Sequence, residues 1–203
     1  MTYPIPERFY TPEEYLEFER SSEEKHEWID GRIYLMAGAS PAHCGITFNL
    51  SVAIGPQLRG TNCRGFSNDM KVRSSSMKPI KGLKGLFSYP DLTIVCDEPL
   101  YHDKVRDVLI NPKVIIEILS PSTEDFDRQG KFGRYQCNES LTDYILIHQD
   151  IPRVEHYQRK ANNQWLLTIA TGLEEELFIS SINCTLLLRE VYEQVTFPEE
   201  EAS

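Results

Sequence analysis

The sequence predicts an α/β domain with a mixed central β-sheet flanked by helices. Three observations predict this class. Short apolar runs rich in β-branched residues, in YPDLTIVCD, PKVIIEILSP and DYILIH, have the length and composition of buried strands. Capped segments of helical periodicity stand before and between them. Turn signals at Asp30-Gly31 and across residues 160–163 mark antiparallel pairs. With 203 residues, 40% of them apolar, the chain can build one sizeable core. Residues 1–195 read as a single domain, and 196–203 as an acidic tail expected to be disordered.

In chain order, Thr11 opens a first helix, TPEEYLEFERS, as its N-cap, with Pro12 at the first helical position and acids in the first turn. Tyr15, Leu16 and Phe18 form its apolar side. KHEWIDGRIYLMAG follows as two short strands around the two-residue turn. Glu27 on the first strand reads as a surface acid paired with Arg32 or Lys25. Ser40 and Pro41 start a second helix, Pro41–Leu58, in which Ile46, Leu50, Ile54 and Leu58 recur at helical spacing. His43 lies in its first turn on the core side, where a lone histidine is more often structural than functional. The other histidines show no ligand spacing. Past the central segment, 143–148 reads as a buried strand, RVEHYQR and QWLLTIAT as an antiparallel pair, and 174–178 as an exposed acidic edge. Residues 186–195 read as ending in a short helix packed through Leu187, Leu188, Val191 and Tyr192.

Charge and cysteine usage narrow the function classes. A net charge of -10 argues against nonspecific coating of nucleic acid. Residues 57–90 depart from that balance: Arg59, Arg64, Lys71, Arg73, Lys78, Lys81 and Lys84 stand against the single acid Asp69. Such a strip suits a phosphate backbone, with Lys71, Arg73, Lys78, Lys81 and Lys84 as its nucleic-acid-binding residues, or else it is a lysine-rich surface loop. Five scattered cysteines without a CxxC read as reduced thiols, with neither a zinc site nor a disulfide framework. No apolar run has the length of a membrane helix, and the N-terminus lacks a secretory pattern, so the expected compartment is the cytoplasm.

Two acids stand where half-buried strands would not choose them. Alternation sets Asp91 on the face of Thr93 and Val95, and Glu117 on the face of Ile115 and Leu119. An ionised carboxylate among aliphatic side chains loses several kcal/mol of hydration unless a cation or hydrogen bonds replace it. A divalent ion with a preference for hard oxygen ligands removes both that penalty and the mutual repulsion of two converging acids. Taken singly, each acid could equally sit at a strand end facing water or pair with an arginine. Downstream, residues 124–138 read as a helix, with Ser122 as one candidate cap. Asp127, Lys131 and Tyr135 share a face at four-residue spacing. Gly130 and Gly133 weaken this helix by propensity but would let it approach a sheet closely.

YPDLTIV, VIIEILSPSTEDFDRQGKFGRY and DYILIH, with HEWIDGRIYLMAGASPAHCGI upstream, resemble the restriction-endonuclease-like family. That family was long described as a domain of unknown function, is abundant in cyanobacteria, and belongs to the PD-(D/E)XK nuclease superfamily. The resemblance runs from about residue 13 to 188; its PD dipeptide is a weak signal and EILSPST a strong one. It implies the restriction-endonuclease-like fold and a Mg2+- or Mn2+-dependent endonuclease that hydrolyses DNA. Asp91, Glu117 and the Ile118 carbonyl would hold the ion. The superfamily lysine two residues after the acid is absent, because position 119 is Leu119, and Lys131 is the natural substitute. Glu27, at a place where the family carries an acid, would line the edge of the site. His43 would contact a phosphate or orient a water, with Asp127 and Tyr135 as supporting groups. DNA is the expected partner, no membrane is involved, and a homodimer stays open. Two rivals remain beside this reading: a nucleic-acid-binding module on a decayed nuclease fold, which Leu119 favours, and a metal-dependent phosphohydrolase of small nucleotides.

Overall fold

Local signals account for the first elements. In the computed structural model, which describes residues 8–74, 85–120 and 124–198, Thr11 and Glu14 form a reciprocal capping box on α1 (Pro12–Ser21). Strands β1 (His26–Ile29) and β2 (Arg32–Leu35) are joined by Asp30 and Gly31 at φ 49° and 102°. Positive φ at both central residues is the type I′ turn that Asp-Gly favours. Ser40 caps α2 (Pro41–Leu58), its hydroxyl accepting from the His43 amide. Next come β3 (Cys63–Ser67), β4 (Lys71–Ser74), β5 (Leu86–Ser88), β6 (Leu92–Cys96), β7 (Val108–Leu109) and β8 (Val114–Leu119). A π-helical turn (Phe126–Lys131) runs into α3 (Phe132–Tyr135). The chain continues through β9 (Asp143–His148), β10 (Arg153–Arg159), β11 (Trp165–Thr171), β12 (Glu176–Ile179), β13 (Cys184–Leu187) and α4 (Leu188–Val191).

A six-stranded mixed sheet has the order β11-β10-β9-β8-β6-β3, with β8 and β9 parallel and the other pairs antiparallel. A second sheet has the order β2-β1-β5-β4-β7, and β12 pairs with β13. Because side chains alternate along a strand, the six-stranded sheet feeds two cores. Ile94, Ile116, Ile118, Ile145 and Ile147 pack with the α2 stripe Ile46, Leu50, Ile54 and Leu58. Val95, Ile115, Leu119, Tyr144 and Leu146 pack with Val72, Leu86 and Leu109 of the second sheet and with Tyr135 of α3. The second sheet's other face meets α1 through Tyr15, Leu16, Trp28 and Phe87.

Several expectations are corrected. The sequence pattern suggests that the helical segment over 124–138 lies beside α2, but the two pack on opposite faces of the six-stranded sheet. VIIEIL is apolar on both faces, so its pattern carries no signal for which helix takes which side. The expected regular helix over 124–138 is instead a π-helical turn followed by one short α-helical turn, and Ser122 lies outside the described residues. A Cβ on Gly130 would fall 2.2 Å from the Phe126 ring, while Gly133 meets nothing within 4 Å. Gly130 therefore makes room for a neighbour in its own turn rather than for a sheet. Cys63 and Cys96, register partners on β3 and β6 with Cα atoms 3.9 Å apart, form a disulfide, which leaves Cys44, Cys137 and Cys184 free. Their separation of 33 residues hides this pairing from sequence spacing. Phe197 packs against Tyr192 in a tilted pair with 5.4 Å between ring centroids.

Candidate active site

The acids come together where the chain passes from one sheet to the other. Strand β5 belongs to the second sheet and β6 to the six-stranded one, and only Tyr89, Pro90 and Asp91 lie between them. Pro90 suits the crossing because it has no amide hydrogen to leave unpaired. Leu92 is opposite Ile116 in the β6–β8 register, and one step further the same register brings Asp91 beside Glu117. Asp91 is buried, with Oδ2 accepting from the Ile118 amide at 2.7 Å and Oδ1 2.7 Å from His43 Nε2. The first turn of α2 thus reaches the site through one imidazole. Ile118 contributes its amide to Asp91 and also lines the cavity.

Glu117 lies on the central strand β8, only 4% exposed. Its Oε1 accepts from the Tyr135 hydroxyl at 2.9 Å and lies 3.4 Å from Lys131 Nζ. Tyr135 shares its hydroxyl with Ser88 at 2.7 Å. Burial raises the Glu117 carboxyl well above the usual range; Lys131 opposes that rise, and Asp127, Asp91 and Glu27 reinforce it.

Lys131 is the hub of the cluster. Its ammonium lies 3.0 Å from Glu27, 3.2 Å from Asp127 and 3.4 Å from Glu117. Burial alone would lower its pKa, but the carboxylates of Glu117, Glu27 and Asp127 overturn that effect and hold it well above the ordinary lysine value. Lys131 and Asp127 are both buried, so they are not a solvated surface pair. Glu27 pairs with Lys131 rather than with Arg32 or Lys25. A cavity of about 670 Å³ encloses Glu27, Asp91, Glu117, Asp127, Lys131 and His43, with an apolar wall formed by residues 34–39.

The basic strip does not join them. Lys71 is buried on β4, where its ammonium meets Asp107 at 3.2 Å and the Tyr89 hydroxyl at 3.2 Å. Arg73 lies over the Phe87 ring at 5.4 Å and beside His102 Nδ1 at 2.7 Å. Lys71 is buried and does not face outward as a phosphate-tracking strip requires, and Arg73 is half-buried against Phe87 and His102. Lys78, Lys81 and Lys84 lie outside the described residues. Sequence reasoning missed Tyr89, which lines the cavity and donates to buried Glu19 at 2.5 Å. It also missed Gln149, which accepts from Ser40 at 2.6 Å on the cavity wall. A tyrosine directly before Pro-Asp was the available signal for the first; no local signal marks the second.

Comparison with known proteins places this geometry. The family Uma2, described as "Putative restriction endonuclease", matches residues 12–186. The chain belongs to the Uma2 family. The uncharacterized protein sll1609 of Synechocystis sp. is 36% identical over 173 residues, covering 85% of this chain and 94% of that one. A second uncharacterized Synechocystis protein, slr1290, is 31% identical over 194 residues, 96% of each chain. A solved structure from Anabaena variabilis, described as a "putative nuclease belonging to DUF820", superposes with a TM-score of 0.70 at 16% identity, covering 89% of this chain and 96% of that one. The Uma2 chain therefore has the restriction-endonuclease-like fold expected of it. Among the described residues no helix is long and apolar enough to cross a membrane.

The fold implies a divalent ion at the Uma2 acid cluster. Among the described residues, no group of three or more His, Cys, Asp or Glu side chains is arranged to hold a metal ion. Magnesium does not require one, because it is held by one or two carboxylates and fills its remaining positions with water and substrate phosphate. Glu27 Oε1 and Asp127 Oδ1 are buried without a hydrogen bond; each is within ion-pair distance of Lys131 Nζ but not aligned for donation. Three buried acids share Lys131 and a fourth, Asp91, lines the same cavity, so carboxyl groups outnumber ammonium groups there and a hard divalent cation would offset their charge when ionised. The donor set fits.

Proposed function

We propose that this Uma2 protein is a Mg2+- or Mn2+-dependent endonuclease hydrolysing DNA phosphodiester bonds, with residues 1–195 as one catalytic domain. The observation that carries this reading is Lys131 Nζ 3.4 Å from Glu117 Oε1, on the strand next to Asp91. It supplies the cation that Leu119, buried in the core, does not. Asp91, Glu117 and the Ile118 carbonyl would hold the ion. A bound divalent ion supplies Lewis-acid polarisation of the phosphodiester and a water of lowered pKa. The chain's own groups do the rest. Lys131, kept charged by its three carboxylates, stabilises negative charge gathering on the phosphoryl oxygens. His43 fixes one Asp91 oxygen and the Ile118 amide the other. Tyr135 holds Glu117, while Glu27 and Asp127 set the place of Lys131.

Incubation of supercoiled plasmid with Mg2+, Mn2+ or a chelator tests the proposal. The expected result is ion-dependent nicking in the wild type that is absent from Glu117→Gln and Lys131→Ala. DNA bound but uncut with every ion would replace the enzyme by the binding module that Leu119 favours. Turnover of free nucleotides without DNA cleavage would point to a phosphohydrolase.

A further inference from the structure

The wall facing the acids has a different chemistry. The Asp30-Gly31 turn sets Tyr34 directly opposite Glu27 across the β1–β2 ladder, and cross-strand partners carry their side chains on the same face of a sheet. Glu27 uses that face to reach Lys131 at 3.0 Å, so Tyr34 flanks the acid cluster and lines the same cavity. Tyr34 is 47% exposed, and its side chain makes no hydrogen bond, ring contact or ion pair among the described residues. Leu35, 54% exposed, and Met36 extend the apolar wall beside it.

This cavity offers a phosphate little attraction of its own. Four acids line it, and its one lysine is already shared among three of them. Affinity beyond that of a bound cation must come from the uncharged part of a nucleotide. An aromatic face with no partner is suited to a nucleobase, because every base has a π-face to stack. Inside a duplex both faces of a base are covered by its neighbours, so only an unpaired, unstacked base can use the ring. The burial of Glu117 at 4% exposure points the same way, since the reacting phosphodiester must enter a cavity rather than lie across an open surface.

We infer that Tyr34 is a stacking platform for one unpaired nucleobase beside the scissile phosphodiester, which makes single-stranded or frayed DNA the substrate class. This rests on the nuclease reading above. The competing role for Tyr34 is that of an ordinary strand residue whose aromatic ring fits a pleated surface.

The test pairs a labelled single-stranded oligonucleotide with a copy carrying one abasic position, scanned through the nucleotides next to the cleaved bond. Cleavage with Mg2+ or Mn2+ gives kcat and KM, and anisotropy without divalent ion gives affinity. Tyr34→Ala is expected to weaken binding and raise KM about tenfold or more on the normal strand, within the range stacking supplies. Tyr34→Phe should retain wild-type values. The wild type should lose a similar factor on the abasic strand, with no further loss in Tyr34→Ala, and should cleave the single strand faster than its duplex. Equal KM in wild type and Tyr34→Ala, an equal abasic loss in both proteins, or a preference for duplex would overturn the inference and leave the nuclease reading standing. Failure of the wild type to bind or cut any DNA would overturn both.

Discussion

On one face of the six-stranded sheet, Ile94, Ile116, Ile118, Ile145 and Ile147 pack against the aliphatic stripe of α2; on the other, the same strands carry Glu117 and lead out of Asp91 beneath Tyr135 and Lys131. Strand β8 shows the contrast residue by residue. Ile116 and Ile118 are buried among apolar groups, each contributing roughly 1.5–3 kcal/mol relative to exposure, whereas Glu117 between them is a buried acid. Such an acid is held against its own desolvation only by groups brought from elsewhere in the chain. The first face stabilises the strand that the second face uses.

The largest effect expected is at Lys131. Lys131→Ala leaves Glu27, Asp127 and Glu117 buried without their shared cation. A loss of about 3–5 kcal/mol in urea unfolding is expected, together with a fall in turnover of at least about a hundredfold in the fraction still folded. A stability change below about 0.5 kcal/mol, the scale of an exposed helix pair, would contradict its role as the shared cation.

Adjacent substitutions on β8 sharpen the contrast. Ile116→Ala should cost about 2–5 kcal/mol while kcat per folded molecule stays near wild type. Glu117→Gln should do the reverse: turnover is lost, while stability without metal holds where the buried Glu117 carboxyl keeps its proton and rises where that carboxyl would be ionised. Unfolding curves and turnover measured on the same preparations decide it. Equal destabilisation by both would erase the distinction between the faces.

A smaller effect appears as two pH limbs of opposite sign. Burial raises Glu117, so the folded protein keeps a proton that the unfolded chain releases. Metal-free stability should therefore fall as pH rises from the ordinary carboxylate range towards the raised folded value. Asp107 behaves oppositely: burial would raise it, but Arg20 and Lys71 push it down from 3.8 to about 2. Its contribution is present above 3.8 and is lost as pH falls towards about 2. Glu117→Gln should flatten the first limb and Asp107→Asn the second in pH-dependent thermal melts; unchanged limbs in both variants would contradict these assignments.

What the sequence disclosed follows the same division. Elements fixed by neighbouring residues were legible: the Thr11 N-cap, the Asp30-Gly31 turn and the full span of Pro41–Leu58. So was the shared direction of Asp127, Lys131 and Tyr135, although a π-helical turn rather than a regular helix delivers the first two. Long-range partners were not. Glu27 finds Lys131 across 103 residues of intervening sequence and a second sheet. Lys71 belonged by composition to a basic strip, but charge composition carries no signal of burial, and β4 turns the side chain inward to Asp107 and Tyr89. His26 lacked ligand spacing and pairs instead with buried Glu19 at 3.0 Å.

Calorimetric titration of the metal-free protein with Mg2+ and Mn2+ tests the metal site most directly. The expected result is one ion per chain in the wild type, a rise in melting temperature on binding, and loss of that binding in both Asp91→Ala and Glu117→Gln. Binding should survive in Tyr34→Ala, which lines the cavity without supplying a carboxylate. No binding heat in the wild type, or equal binding in the wild type and both acid variants, would contradict a metal site shared by Asp91 and Glu117.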